Sequence, residues 1–308
     1  MEIFKMGIAG TVAVQVLIMF ILIFVGFVMS KNKLITETGA KQITNILLMV
    51  VTPCVLINAY QKDFEVEHAK GLLMASLLAL LIHVAAILVS TLIFKKEETL
   101  KYRINIFSAV YSNCGFMAIP LMEAVLGKIG VFYGSAYLAV FTVLYWTHGV
   151  YVYTGSRKEV SFKKAFLNPG VLGTILSLLL FFLKIKLPYV IHQSVIYMAG
   201  LNTPLAMIVL GTYLVGIDFR KSLKNGKLFA VAGLRLILFP IVSVLIARLL
   251  NVSDEILRSI IIPAACPTAA VATLFAAKYN SDAKYASEIV AVTTLLSILT
   301  IPLIMLMC

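Results

Sequence analysis

Apolar residues run through this chain in stretches of twenty or so, separated by short polar punctuation. A helix rises about 1.5 Å per residue and a bilayer's hydrocarbon core is about 30 Å thick, so each stretch is long enough to cross a membrane once. The runs fall near 7–29, 40–60, 70–94, 103–126, 130–153, 169–187, 189–217, 228–250, 256–278 and 284–307. They predict an all-α integral membrane protein of about ten transmembrane helices. The first run, Ile8 to Met29, is too long for a signal-peptide core and is followed by no small-residue cleavage site, so it reads as a retained span.

Composition agrees. The 308 residues are 61% hydrophobic and 13% charged, against roughly 25% charged in a soluble domain. The net charge of +12 would point to nucleic acid in a soluble protein. Here the basic residues cluster between apolar runs, which is a topology signal and no nucleic-acid footprint. Loops after the odd-numbered spans hold 17 Lys and Arg, and the other side holds 8. That bias predicts an inner (plasma) membrane protein with the richer loops in the cytoplasm and both termini outside. Cys54, Cys114, Cys266 and Cys308 have no C-x-x-C or metal-ligand spacing and are expected to be reduced and unpaired.

The halves of the chain echo each other. Thr52-Pro53 recurs as Thr203-Pro204, 151 residues on, and Phe141-Thr142-Val143-Leu144 faces Val292-Thr293-Thr294-Leu295 at the same offset. Asp63-Phe64 and Asp218-Phe219 differ by 155. The predicted organisation is a first five-helix repeat over 1–153, a cytoplasmic hinge loop over 154–168 and a second repeat over 169–308. Five is odd, so the second unit is inverted, a plan shared by many secondary transporters.

Helix-breaking residues mark where a site could be built. Span 4 contains Asn113-Cys114-Gly115 and, a turn later, Pro120; span 9 contains Pro263, Pro267 and Thr268. At about 1.5 Å per residue, Asn113 lies about 15 Å in from Arg103, and Pro267 about 16 Å in from Ile256. Both breaks therefore fall near the midplane, where half-helix N-termini favour an anion. The alternative is that these prolines only kink packed helices. Thr52-Pro53 in span 2 and Asn202-Thr203-Pro204 in span 7 supply further polar groups, and simple kinks explain them as well.

Asn113, Gly115 and Pro120, with Gly149 closing span 5, resemble the auxin efflux carrier family. So do Asn168-Pro169 opening span 6, Pro204 with Gly211, Ala277-Lys278-Tyr279-Asn280, and the tail from Thr293 to Pro302. The resemblance covers nearly the whole chain. The short loop between spans 5 and 6 is similar to that of bacterial malate or malonate permeases rather than of many plant exporters. The resemblance implies a fold similar to bile-acid and proton-antiporter carriers, with crossed, broken helices 4 and 9. It implies a scaffold of helices 1, 2, 6 and 7, a moving domain of 3–5 and 8–10, elevator-type alternating access, and a homodimer. It also implies that Asn113 contacts a substrate carboxylate, with Cys114, Gly115, Pro120, Pro267 and Thr268 shaping the crossing.

Ionisable residues inside spans are functional suspects, but depth decides. Glu123, Glu288, His148 and Arg235 lie near enough to span ends to be interfacial anchors or functional groups. His83, in the middle of span 3, is either a packed neutral histidine or a coupling group. His83 and Arg235 are the candidates for proton or sodium coupling. No Asp or Glu lies beside either break in the sequence, which argues for a neutral, dipole-lined anion site over a cation exchanger. There is no G-x-x-x-x-G-K-[ST] phosphate loop, and neither Ser-His spacing nor H-E-x-x-H surrounds the histidines. The expected function is a secondary transporter of small organic anions such as malate, malonate or auxin-like acids, needing no cofactor and performing no catalysis. A membrane sensor of the same fold and an ion-coupled exchanger are the alternatives.

Overall fold

The computed structural model describes residues 7–94, 101–222 and 224–308. Of the basic residues counted for orientation, Lys5, Lys95 and Lys96 lie outside them. The described chain is helical, with one isolated antiparallel bridge between Ser112 and Thr268. Its main elements are α1 (Ile8–Lys31), α2 (Glu37–Tyr60), α3 (Val66–Phe94), α4 (Lys101–Val110) and α5 (Cys114–Thr154). They continue as α6 (Pro169–Phe182), α7 (Tyr189–Thr212), α8 (Gly226–Leu249), α9 (Asp254–Ala265), α10 (Val271–Lys278) and α11 (Ala283–Met305). Seven of these, α1, α2, α3, α5, α7, α8 and α11, are long and apolar enough to cross a membrane; α6 is apolar but shorter.

Seven rather than ten follows from how the chain is interrupted. The runs expected at 103–126 and 256–278 are each broken in the middle into short helices. The boundary expected between 126 and 130 falls inside α5, at Gly127, whose φ of 65° and ψ of −154° are not helical. There the chain folds back. Residues 122 and 134 would be about 18 Å apart along a straight helix, yet a Cβ on Gly134 would meet the Met122 side chain.

α1 and α3 are apolar on all sides, which soluble helices are not. In α1, Val12, Val16, Met19, Ile23 and Gly26 form a buried stripe at helical spacing, while Leu17, Ile21, Phe24 and Val28 on the other faces are exposed. The buried stripe reads α7. Gly26 and Gly211 meet there so closely that a Cβ on either would strike backbone of the other helix, at Ile208 and at Ile23. Small residues allow such approach between membrane helices, where dispersion rather than hydrophobic exclusion holds the pair.

Proline marks the irregular turns. The π-helical segments Leu47–Val51, Cys114–Ala118 and Leu234–Leu238 each end two residues before a proline, at Pro53, Pro120 and Pro240. The ring cannot donate a hydrogen bond and clashes with the preceding turn, so the helix widens there. Of the prolines expected to kink their helices, Pro53 and Pro120 follow such π-turns, whereas Pro204 and Pro263 sit inside α-helix.

Candidate functional site: the crossing of two broken helices

α4 stops at Val110 and α9 at Ala265. Cys266 precedes Pro267, which disfavours helical geometry, and it is extended at φ −65° and ψ 152°. On the other strand of the crossing, Tyr111, Ser112 and Asn113 leave the helix before the π-turn at Cys114. The two freed segments pair with each other. The Asn113 N–H donates to the Pro267 carbonyl at 2.7 Å, and the Ala269 N–H donates to the Tyr111 carbonyl at 2.9 Å. The Thr268 hydroxyl donates to the Ser108 carbonyl at 2.9 Å, and its N–H donates to the Thr293 hydroxyl at 3.2 Å. Inside a membrane, backbone released from a helix is tolerated only where it is satisfied internally or faces a wet cavity. Here both conditions hold, on different sides of the crossing.

Beside the crossing lies a cavity of about 120 Å³. Its walls include Asn113, Gly115 and Phe116 at the start of one half-helix, and Ala270, Val271 and Leu274 at the start of the other. Ser112 and Ala269 of the crossing, Thr44, Leu48 and Thr52 of α2, Leu138, Phe141, Thr142 and Tyr145 of α5, Asn168 and Gly170 at the head of α6, and Tyr213 past α7 complete them. No charged side chain is among these. Three helices begin beside the cavity, at Cys114, Pro169 and Val271, so the positive ends of their dipoles lie near it; the Cys114 N–H is taken by the Ser112 carbonyl and the Gly170 N–H by Asn168 Oδ1. Asn113 is 4% exposed, and its side-chain Nδ2 has no hydrogen-bond partner. A buried amide donor left unmade is costly. Asn113 itself lines the cavity. The arrangement can hold a small anion through neutral donors and helix ends.

Of the expected site residues, the crossing brings together Asn113, Gly115 and Thr52 at the cavity wall. Cys114, Pro120, Pro267 and Thr268 are buried behind it and build the crossing rather than line the cavity. Asn202 is fully buried on α7 with both amide atoms unpartnered, and neither it nor Thr203 lines the cavity. His83 is packed against Tyr137 with ring centroids 4.6 Å apart, and its Nδ1 lies 2.8 Å from the Ala79 carbonyl. It lies outside the lining. His148 Nδ1 lies 2.9 Å from the Tyr111 hydroxyl. Glu288 lines a separate polar pocket of about 260 Å³ with Lys101 and Lys224. Arg235 is buried on backbone carbonyls of both half-helices.

Sequence reasoning passed over Thr142, Tyr145, Asn168 and Tyr213. Asn168 carried a signal: Asn before Pro at a helix start is a cap, and its Oδ1 accepts the Gly170 N–H at 2.9 Å. Its Nδ2 then lies 3.4 Å from the Tyr145 hydroxyl. The others sit in ordinary apolar surroundings and nothing in their spacing sets them apart.

A bundle of apolar helices, two of them interrupted in the interior and backbone-paired around a neutral cavity, defines an integral membrane transport protein. The family model described as "Membrane transport protein" matches residues 11–160 and 153–305. The chain belongs to that family, the one its resemblance to the auxin efflux carriers indicated. It is 26% identical over 303 residues to an uncharacterized transporter of Methanocaldococcus jannaschii, covering 94% of this chain and 96% of that protein. An uncharacterized transporter of Methanothermobacter thermautotrophicus is 24% identical over 302 residues, covering 94% and 95%.

Proposed function

We propose that this protein is a secondary carrier of small organic anions, carboxylates such as malate or malonate, held at the crossing of its broken helices. The observation that carries the reading is the cavity wall itself: it holds Asn113 and the starts of the half-helices, and no charged side chain. Oriented N–H groups and helix N-termini are general anion ligands. The cavity of about 120 Å³ is on the scale of the ~150 Å³ engineered cavity that holds a benzene ring, so it suits a small ligand.

In this reading the chain forms ten spans in two inverted five-helix repeats. The interrupted pairs α4 with the first half of α5, and α9 with α10, count as spans 4 and 9. The cavity reaches the ends of α6 and α7 at Asn168 and Tyr213, beside the basic loops. With those loops in the cytoplasm and both termini outside, the described state is open inward. Elevator-type movement of spans 3–5 and 8–10 against 1, 2, 6 and 7 then alternates access. Asn202 and the homodimer belong to the scaffold side of this picture.

The test is uptake of radiolabelled malate, malonate and an aromatic carboxylate into proteoliposomes, wild type beside Asn113→Ala. Saturable uptake of one acid, lost in the variant, is the expected result. Absence of uptake for every acid by monodisperse protein overturns the reading.

A further inference from the structure

Each half-helix that starts at the anion cavity has a counterpart that ends on the far side of the crossing. Those C-terminal ends converge on Arg235. This side chain is 1% exposed and does not line the cavity. Its Nη1 donates to the carbonyls of Ala109 at 3.2 Å and Val110 at 2.9 Å, the last residues of α4. Its Nη2 donates to the carbonyl of Ala264, next to last in α9. The Phe239 ring lies 5.9 Å from the guanidinium carbon. No ion pair with Asp or Glu holds it among the described residues.

The last carbonyls of a helix lack intrahelical donors and together carry about half a negative charge. Two such ends present about one, which a single monovalent cation balances. Broken-helix carriers commonly hold their coupling Na⁺ or H⁺ on carbonyls of this kind. A buried guanidinium is stable only where its charge and its N–H groups are both matched. These carbonyls match the charge and receive both Nη groups, while the buried Nε–H is left without a partner among the described residues. The side chain also issues from the π-helical turn Leu234–Leu238 before Pro240. A π-turn shifts register by one residue relative to an α-turn and recurs at functional positions.

We propose that Arg235 is a resident cation occupying a monovalent-cation site formed by the carbonyls of Ala109, Val110 and Ala264. The protein therefore needs no coupling sodium at its crossing, and removing the guanidinium opens a site for a free cation. The consequence for transport rests on the carrier reading above; the site itself is tested without any substrate.

Purified wild type, Arg235→Lys and Arg235→Gln are compared by thermal unfolding in sodium chloride and in choline chloride, with ²²Na⁺ binding measured alongside. Wild type should unfold at the same temperature in both salts and bind no ²²Na⁺. Arg235→Lys, which keeps a charge and donors, should stay near wild type. Arg235→Gln should unfold at least about 5 °C lower and recover saturably with millimolar sodium or guanidinium ion. Should the Gln variant fail to fold in choline while folding in sodium, the site is equally supported. Saturable sodium stabilisation of wild type overturns the proposal, as does a Gln variant that equals the Lys variant in both salts. Failure of carboxylate uptake would count against the carrier reading and leave these measurements untouched.

Discussion

The two faces of the crossing are built from the same backbone and are finished in opposite ways. On one face α4 and α9 end, and their carbonyls are covered by Arg235, a charge supplied by the chain itself. On the other face the half-helices begin, and what lies before them is a cavity with neutral walls and one unmade amide bond. If helix ends were merely a burden to be neutralised, the N-terminal face would hold an Asp or Glu as the C-terminal face holds Arg235. It does not. The comparison teaches that the fold completes one pole internally and leaves the other open, and on the carrier reading proposed above the open pole is the one that takes the anion.

The sharpest way to break the comparison is to finish the open pole as well. Asn113→Asp places a resident carboxylate before the half-helix. A second anion about 4 Å away would be repelled by about 4 kcal/mol at the effective dielectric of a partly buried site. Carboxylate uptake should fall by at least about 100-fold, while the unfolding temperature holds or rises, because Asp is a good cap at a helix start. Undiminished uptake would mean the anion binds elsewhere. Asn113→Ala removes one donor without adding charge. A hydrogen bond to a charged group contributes about 1.5–3 kcal/mol, so the apparent KM should rise roughly 10- to 100-fold. Thr268→Val keeps the shape and deletes the bond to the Ser108 carbonyl. It should cost about 1 kcal/mol of stability and leave KM nearly unchanged, which separates residues that build the crossing from residues that face the cavity. Tyr145→Phe loses only the long contact to Asn168. The change expected in KM is about twofold, corresponding to about 0.5 kcal/mol.

The breaks themselves were legible. Pro267 dictates an extended residue before it, and Asn113 with Gly115 and Pro120 reads as an interruption wherever the rest of the span is apolar. The neutrality of the cavity was also legible, since no carboxylate stands near either break. Arg235 shows the limit. Its distance from a span end allowed an anchor at the interface, and the structure instead buries it on carbonyls 125 residues back and 29 residues ahead. Tyr145 and Tyr213 show the same limit for the cavity wall.

The sequence by itself determined the solvent this protein lives in, because runs of twenty apolar residues have no other stable surroundings. It also determined that α9 must stop before Pro267, because proline acts on its own turn and its immediate neighbour. Only the tertiary structure decided that the two stops pair with each other through Ser112 and Thr268. It alone decided that one set of helix ends receives a guanidinium while the other is left facing a cavity. Those outcomes depend on contacts between residues from 29 to more than a hundred positions apart. Local geometry constrains which groups need partners, and packing chooses the partners.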